Sequence, residues 1–272
     1  MSAQTLTRRL TQSDLGKLHA AGEKIVMFTC YDASFARLFD GAGVECLLIG
    51  DSLGNVIQGQ DSTLPVGMAD IAYHTAAVKR GCDRPFIIAD MPFGSYQESP
   101  QQAFRNAAAL LAAGAQMVKL EGGDDMADTV RFLVERGVPV CGHLGLTPQS
   151  VHVMGGYKVQ GKTDAAARRL HDDALRLQQA GATMLVLEAI PAPLAAEVTA
   201  ALDIITIGIG AGKDCSGQVM VMHDAFDVPP GKKAKFVKNF MAGAASLHDA
   251  ACRAVAEVKS GDYPGPEHTY AA

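Results

Sequence analysis

Charged residues are scarce in this chain. Asp, Glu, Lys and Arg make up 19% of its 272 residues, below the usual share of about 25%, so there is little solvated padding around a compact body. Long apolar runs are missing as well. No stretch approaches the ~18 uninterrupted apolar residues of a membrane span, and the first ten residues, MSAQTLTRRL, hold no apolar signal core. The expectation is a cytoplasmic protein with no membrane partner. Positive charge is in deficit: 24 Lys and Arg against 29 Asp and Glu give −5, which argues against a nucleic-acid partner. There is no CxxC pair, so neither a zinc site nor a thioredoxin-like motif is supported. The six cysteines (Cys30, Cys46, Cys82, Cys141, Cys215 and Cys252) are scattered, and Cys30, Cys46 and Cys141 sit inside apolar runs. They read as free, reduced and mostly buried thiols, not as a catalytic cysteine.

Glycine, in contrast, is plentiful. The 28 glycines show no G-X-Y period, which points to many tight turns and not to collagen or disorder. Apolar runs recur with a regular beat: Lys24–Cys30, Val44–Asp51, Pro85–Asp90, Gln116–Glu121, Val138–His143, Thr183–Glu188, Ile204–Gly208 and Val219–His223. Each is short and apolar without clean alternation, the pattern of strands buried on both faces of a parallel sheet. Helical periodicity fills the intervals. Ser99–Ala113 opens with a cap-like Ser followed by Pro, and Asp164–Ala180 carries an apolar stripe and stops at Gly181. Further helices are predicted at Ala33–Ala42, Met68–Arg80, Asp124–Glu135, Ala192–Ala200 and Lys232–Lys259. Eight alternating units in a length near the usual ~250 residues predict an α/β fold, a (βα)8 TIM barrel. A doubly wound open sheet is the rival. No linker divides the chain, so a single domain over residues 1–272 is expected, with Ser260–Ala272 as a short polar tail.

A barrel of this kind gathers its functional groups at the carboxyl ends of its strands. The polar residues there are Asp51, Asp90, Lys119 with Glu121, His143, Glu188 and His223. Any one of them alone is more simply read as a solvated strand tip. Together they are informative, because carboxylates aimed at one mouth repel one another unless a cation sits among them. Oxygen donors from Asp51, Asp90 and Glu121, with no Cys or His at ligand spacing, favour a hard cation such as Mg²⁺ over Zn²⁺. A 2-keto acid is a natural bidentate ligand for such an ion. Lys119, two residues before Glu121, points the same way and either holds a substrate carboxylate or pairs with Glu121. Gly208–Gly212 (GIGAG) is not a dinucleotide fingerprint, but it could let backbone approach a ligand, even a phosphate. The long connections Ser52–Gly67 and Leu144–Lys162 read as lids, substrate walls or oligomer contacts.

Several strings have a recognisable source. GDSLGNVIQGQDSTLPV, RPFIIADMPFGSYQ, VKLEGG, GHLGLTPQSVHVMGGYKVQG and IGIGAGKDCSGQVMVMHD strongly resemble the 3-methyl-2-oxobutanoate hydroxymethyltransferase (ketopantoate hydroxymethyltransferase) family, in consistent order from about Thr29 to Asp224. The resemblance implies a (βα)8 barrel, Mg²⁺ dependence, a cytoplasmic homodecamer, and the first step of pantothenate biosynthesis. In that step a hydroxymethyl unit passes from 5,10-methylenetetrahydrofolate to 3-methyl-2-oxobutanoate through a Mg-stabilised enolate. It also implies roles for individual residues. Asp51, Asp90 and Glu121 match the acidic metal site, and Ser52 and Lys119, with Asp51 and Asp90, match the keto-acid pocket. Glu188 matches the proton acceptor, and His143 a pocket histidine. Ser216 departs from the family pattern, which usually reads CDGQ where this chain has CSGQ, and puts in question a contact near the folate side. Two rivals stand beside this reading. A phosphoenolpyruvate mutase or isocitrate lyase type of enzyme would carry a KKCGH-type loop, which the chain lacks. A non-catalytic assembly protein would have lost metal carboxylates that are present here.

Overall fold

The computed structural model describes residues 8–229, 231 and 233–271. Its eight strands are β1 (Ile25–Thr29), β2 (Cys46–Ile49), β3 (Phe86–Asp90), β4 (Met117–Lys119), β5 (Val140–Gly145), β6 (Met184–Glu188), β7 (Ile205–Ile209) and β8 (Gly217–Met220). All pair in parallel and in chain order. The pairing of β1 with β8, from Ile25↔Gly217 to Phe28↔Met220, closes the barrel and rules out the open sheet.

Why the strands lack alternation is visible in how they divide the core. One parity of side chains, including Ile25 and Met27, Leu48, Ile88, Met184 and Ile207, fills the barrel interior. The other parity, including Val26 and Phe28, Leu47, Ile87, Leu185 and Leu187, packs outward against the helices. Both faces are dry, so both must be apolar. Helices at Ala33–Ala42, Met68–Gly81, Pro100–Ala113, Ala127–Val134, Asp164–Gln179, Ala192–Ala201 and Leu247–Ser260 form the outer layer. The expected start at Ser99 is met: its hydroxyl accepts from the Gln102 N–H, and Pro100 occupies the first turn. A further helix, Gln12–Ala20, plugs the amino end of the barrel, where Leu10 and Leu15 join the interior core.

Two expected elements move. The eighth strand runs Gly217–Met220 and not Val219–His223. Gly217 must lie flush against β1, since a Cβ there would strike the Ile25 carbonyl. Beyond Met220 the Met222 N–H donates to Thr29 Oγ1 and the chain turns into a short helix, Met222–Ala225, which carries His223 away from any strand end. The helix expected over Lys232–Lys259 exists only as Leu247–Ser260; Lys232 itself lies outside the described residues. Between them Asn239 Oδ1 accepts from the N–H groups of Met241 and Ala242, a local turn that competes with helix. Phe240 is buried there against Tyr263, their centroids 5.3 Å apart. The last residues fold back over the barrel: Tyr263 is buried, its hydroxyl donates to the Phe236 carbonyl, and the Ala192 N–H donates to the Tyr270 carbonyl.

Candidate active site

Strand parity decides which polar residues enter the mouth. In β3 and β4 the inward series Phe86, Ile88 and Met117 continues to Asp90, Lys119 and Glu121; in β5 and β6 the series Cys141, Met184, Val186 continues to His143 and Glu188. Asp51 follows β2 in a turn, and its N–H donates to Asp90 Oδ2 at 3.1 Å. These residues, with Ser52, line one cavity of about 700 Å³. Asp51, Asp90, Lys119, Glu121 and His143 are each at most 5% exposed, so the cluster is out of water.

The cluster is crowded with charge. The Lys119 ammonium forms an ion pair with Asp90 Oδ1 and lies 3.4 Å from His143 Nδ1. His143 bridges two carboxylates, with Nδ1 3.3 Å from Glu121 Oε1 and Nε2 3.2 Å from Glu188 Oε2. Burial, then the Asp90 and Glu121 charges, push the Asp51 carboxyl up to about 8. Burial likewise raises Asp90, opposed by Lys119. For Lys119 burial favours the neutral amine, yet the surrounding Asp90, Glu121 and Asp51 carboxylates hold it above its ordinary range. Burial and Lys119 pull His143 down, but its contacts with Glu121 and Glu188 outweigh them and raise it to about 9. Asp90 Oδ1 faces the Lys119 ammonium and Glu121 Oε1 faces His143 Nδ1, so two nitrogen side chains are shared among Asp51, Asp90, Glu121 and Glu188 and the cluster keeps an excess of carboxylate acceptors.

Among the described residues, no three His, Cys, Asp or Glu side chains converge on one metal position. The carboxylates nevertheless suit a hard cation held by one or two of them and completed by water or substrate. Glu188 differs from the rest of the cluster. Its side chain is 15% exposed, so it reaches the open part of the cavity. Gly145 opposite it in β5 has φ +93, and a Cβ there would strike the Glu188 carbonyl; glycine lets the two strands close around the acid.

The wider mouth is built by the long connections. Asn55, Val56 and Thr63 from one, and Pro148, Tyr157 and Lys158 from the other, form walls of the cavity. Phe236 and Tyr270, from the irregular segment and the chain end, complete it.

Residues 9–266 match the family model of ketopantoate hydroxymethyltransferase. The chain belongs to the ketopantoate hydroxymethyltransferase family. Relatives named 3-methyl-2-oxobutanoate hydroxymethyltransferase include one from Dechloromonas aromatica (strain RCB), 81% identical over 272 residues and covering 100% of both chains. Another, from Azoarcus sp. (strain BH72), is 64% identical over 262 residues, 96% of this chain and 97% of that one. The chain is accordingly an enzyme, a hydroxymethyltransferase. Among solved structures, a putative phosphonomutase from Burkholderia cenocepacia J2315 shares the fold with TM-score 0.64 and 17% identity, over 80% of this chain and 95% of that one. A phosphonopyruvate hydrolase solved with oxalate and Mg²⁺ does so with TM-score 0.58 and 12% identity, over 78% and 81%. Identities this low speak for the barrel alone.

Within this hydroxymethyltransferase, Asp51, Ser52, Asp90, Lys119, Glu121, His143 and Glu188 share one cavity, as their strand-end positions predict. Three expectations fail on placement. His223 does not line the cavity; its ring packs against Tyr31, centroids 5.6 Å apart. The GIGAG run is covered at two of its glycines, with Phe236 and Tyr270 over Gly210 and Ala192 and Thr269 over Gly212, and reaches the cavity through Ile209 and not through a glycine. Ser216 sits at the amino end of β8, where its hydroxyl accepts from the Thr206 N–H, and it does not line the cavity. Sequence reading missed Tyr31, Tyr96 and Gln149. Tyr31 Oη lies 2.8 Å from Ser52 Oγ, and Tyr96 and Gln149 hydrogen-bond inside the acidic cluster. The length of the loop that carries Gln149 was the one signal that pointed near it.

Proposed function

We propose that the enzyme transfers the one-carbon unit of 5,10-methylenetetrahydrofolate to C3 of 3-methyl-2-oxobutanoate, with uptake of water, giving 2-dehydropantoate and tetrahydrofolate. The observation that carries this reading is Glu188: a partly exposed carboxylate, 3.2 Å from a buried histidine, at the edge of a buried Lys–Asp–Glu cluster. His143, raised to about 9, holds Glu188 through Oε2 and leaves its other oxygen to accept the C3 proton. The electron pair left behind forms the new bond to the one-carbon unit, water supplies the hydroxyl, and tetrahydrofolate leaves. Lys119 and Ser52 would take the keto acid's carboxylate, Lys119 as a buried cation and Ser52 with its hydroxyl set by Tyr31. Beyond the space a five-carbon acid needs, the cavity continues to Tyr157, Phe236 and Tyr270, a wall suited to an aromatic co-substrate.

Asp51 and Asp90 would hold Mg²⁺, with Glu121 as a third negative charge. Support comes from the all-oxygen donor set and from the proton that burial, with the Asp90 and Glu121 charges, keeps on Asp51. Bound there, the ion would supply Lewis acidity at the keto oxygen, commonly worth several kcal/mol. We likewise infer a cytoplasmic homodecamer acting in pantothenate biosynthesis, as the family resemblance implies. Light scattering tests the assembly, for which exposed Tyr73, Phe93 and Val153 offer apolar surface. No described helix is long and apolar enough to cross a membrane.

The test is exchange of the C3 deuteron of labelled 3-methyl-2-oxobutanoate without folate, which isolates proton abstraction. Glu188→Gln should slow it by roughly 10²–10⁴-fold, the usual worth of a positioned base. Exchange at the wild-type rate would mean that another group takes the proton.

A further inference from the structure

One buried amide ties together the carboxyl ends of four neighbouring strands. Gln149 sits in a 3₁₀ turn, Pro148–Ser150, in the connection after β5, and is 4% exposed. Its Nε2 lies 2.8 Å from Asp51 Oδ2, after β2, and 3.0 Å from the Met91 carbonyl, after β3. Its Oε1 lies 2.8 Å from Tyr96 Oη and 3.4 Å from Gln97 Nε2. Its backbone N–H donates to Glu121 Oε2, after β4, at 3.0 Å.

The direction of the amide follows from its partners. A backbone carbonyl only accepts, so the end beside Met91 must be the NH₂. Both of its hydrogens are then committed, one to Met91 and one to Asp51. The Tyr96 hydroxyl accepts from the Glu121 N–H at 3.1 Å and donates to Gln149 Oε1, so Tyr96 holds the amide from behind. Asp51 therefore offers Gln149 one fixed oxygen, Oδ2, and Glu121 offers Oε2. Oδ1 of Asp51 is left for another partner, and Oε1 of Glu121 is turned toward His143 Nδ1, 3.3 Å away. Without these donors, carboxylates that repel one another would rotate apart.

We propose that Gln149 is a positioning residue for the metal: it sets the rotation of Asp51 and Glu121 so that these two carboxylates and Asp90 are arranged for the ion before it binds, with Tyr96 acting through it. This rests on the metal site of the function proposed above. Groups that orient ligands without touching the ion typically cost 10–100-fold in affinity when removed. A merely structural role in anchoring the loop would instead lower melting temperature and leave the affinity of the folded protein alone.

The experiment is a titration of metal-stripped protein with Mn²⁺, free ion read by electron paramagnetic resonance, at a temperature where circular dichroism shows each variant fully folded. Gln149→Met keeps the length and removes every side-chain hydrogen bond; its Kd for Mn²⁺ should rise by roughly 10–100-fold. Tyr96→Phe should raise Kd by less, and adding it to Gln149→Met should raise Kd by a smaller factor than Tyr96→Phe does alone, because part of its effect runs through the same amide. If Gln149→Met does not fold, Tyr96→Phe alone decides. Wild-type binding with an unchanged Kd in the variants overturns this inference and leaves the metal site standing. A wild-type protein that binds no Mn²⁺ overturns the metal site and this inference with it.

Discussion

The two ends of the barrel bury polar groups in opposite ways. At the amino end, opposite charges and donors are matched. Glu45 accepts from the Val26 N–H at 3.0 Å and pairs with Lys259 at 2.8 Å. Lys24 donates to the carbonyls of Lys213 and Cys215, and Gln116 joins Ile87 to Leu10. The neutral hydroxyl of Thr183 is left over there. At the carboxyl end carboxylates outnumber their partners: Asp51, Asp90, Glu121 and Glu188 share Lys119 and His143, and burial, with the Asp90 and Glu121 charges, keeps a proton on Asp51. Matched burial is what stability selects; unmatched like charge is tolerated only where a ligand completes it.

The strongest way to break that comparison is Asp51→Asn. It should abolish turnover, yet leave the metal-free protein at least as stable as wild type, because it removes a carboxyl that the fold keeps neutral at a cost. Kinetics and thermal melting of the same preparation check both halves; a large loss of stability would make Asp51 a structural residue like Glu45.

The same logic gives a pH dependence. Asp51 titrates near 8 when folded against 3.8 ordinarily, so the native state keeps a proton that the unfolded chain loses. Its stabilising contribution is full below 3.8 and disappears as pH rises to about 8. His143, at about 9 against 6.5, adds a loss of the same sign over a higher window. Metal-free protein should therefore melt at progressively lower temperature from mildly acidic pH to about 9. Asp51→Asn should remove the lower part of that slope and keep the upper part.

At the other end the expectation inverts. Glu45→Ala strands a buried N–H and half of an ion pair and should cost about 1–3 kcal/mol of stability, read by denaturant melts, with kcat unchanged. Smallest of all is Ser216→Ala. Its hydroxyl bridges Thr206 far from the cavity, so the loss should be about 1 kcal/mol with the folate KM unmoved. A shifted folate KM would return Ser216 to the active site.

Much of this was legible in the residues. Apolar runs with charged tips read as buried parallel strands ending at a mouth, and period-two alternation carries Asp90, Lys119, Glu121, His143 and Glu188 inward from apolar positions that precede them. What failed did so for tertiary reasons. His223 read as a strand tip because the sequence shows no sign that β8 must stop where Thr29 captures the Met222 N–H. The GIGAG run looked open because nothing local shows that Phe236 and Tyr270, distant in the chain, lie over it.

By itself, then, the sequence determined the barrel, its apolar layers and the acids at its carboxyl end, because those depend on short-range periodicity and on the chemistry of each side chain. Only the tertiary structure decided how the acids are held. Gln149, Tyr96 and Tyr31 come from different connections, and whether an amide or a hydroxyl meets a carboxylate is settled by the closure of the barrel, which no spacing along the chain encodes.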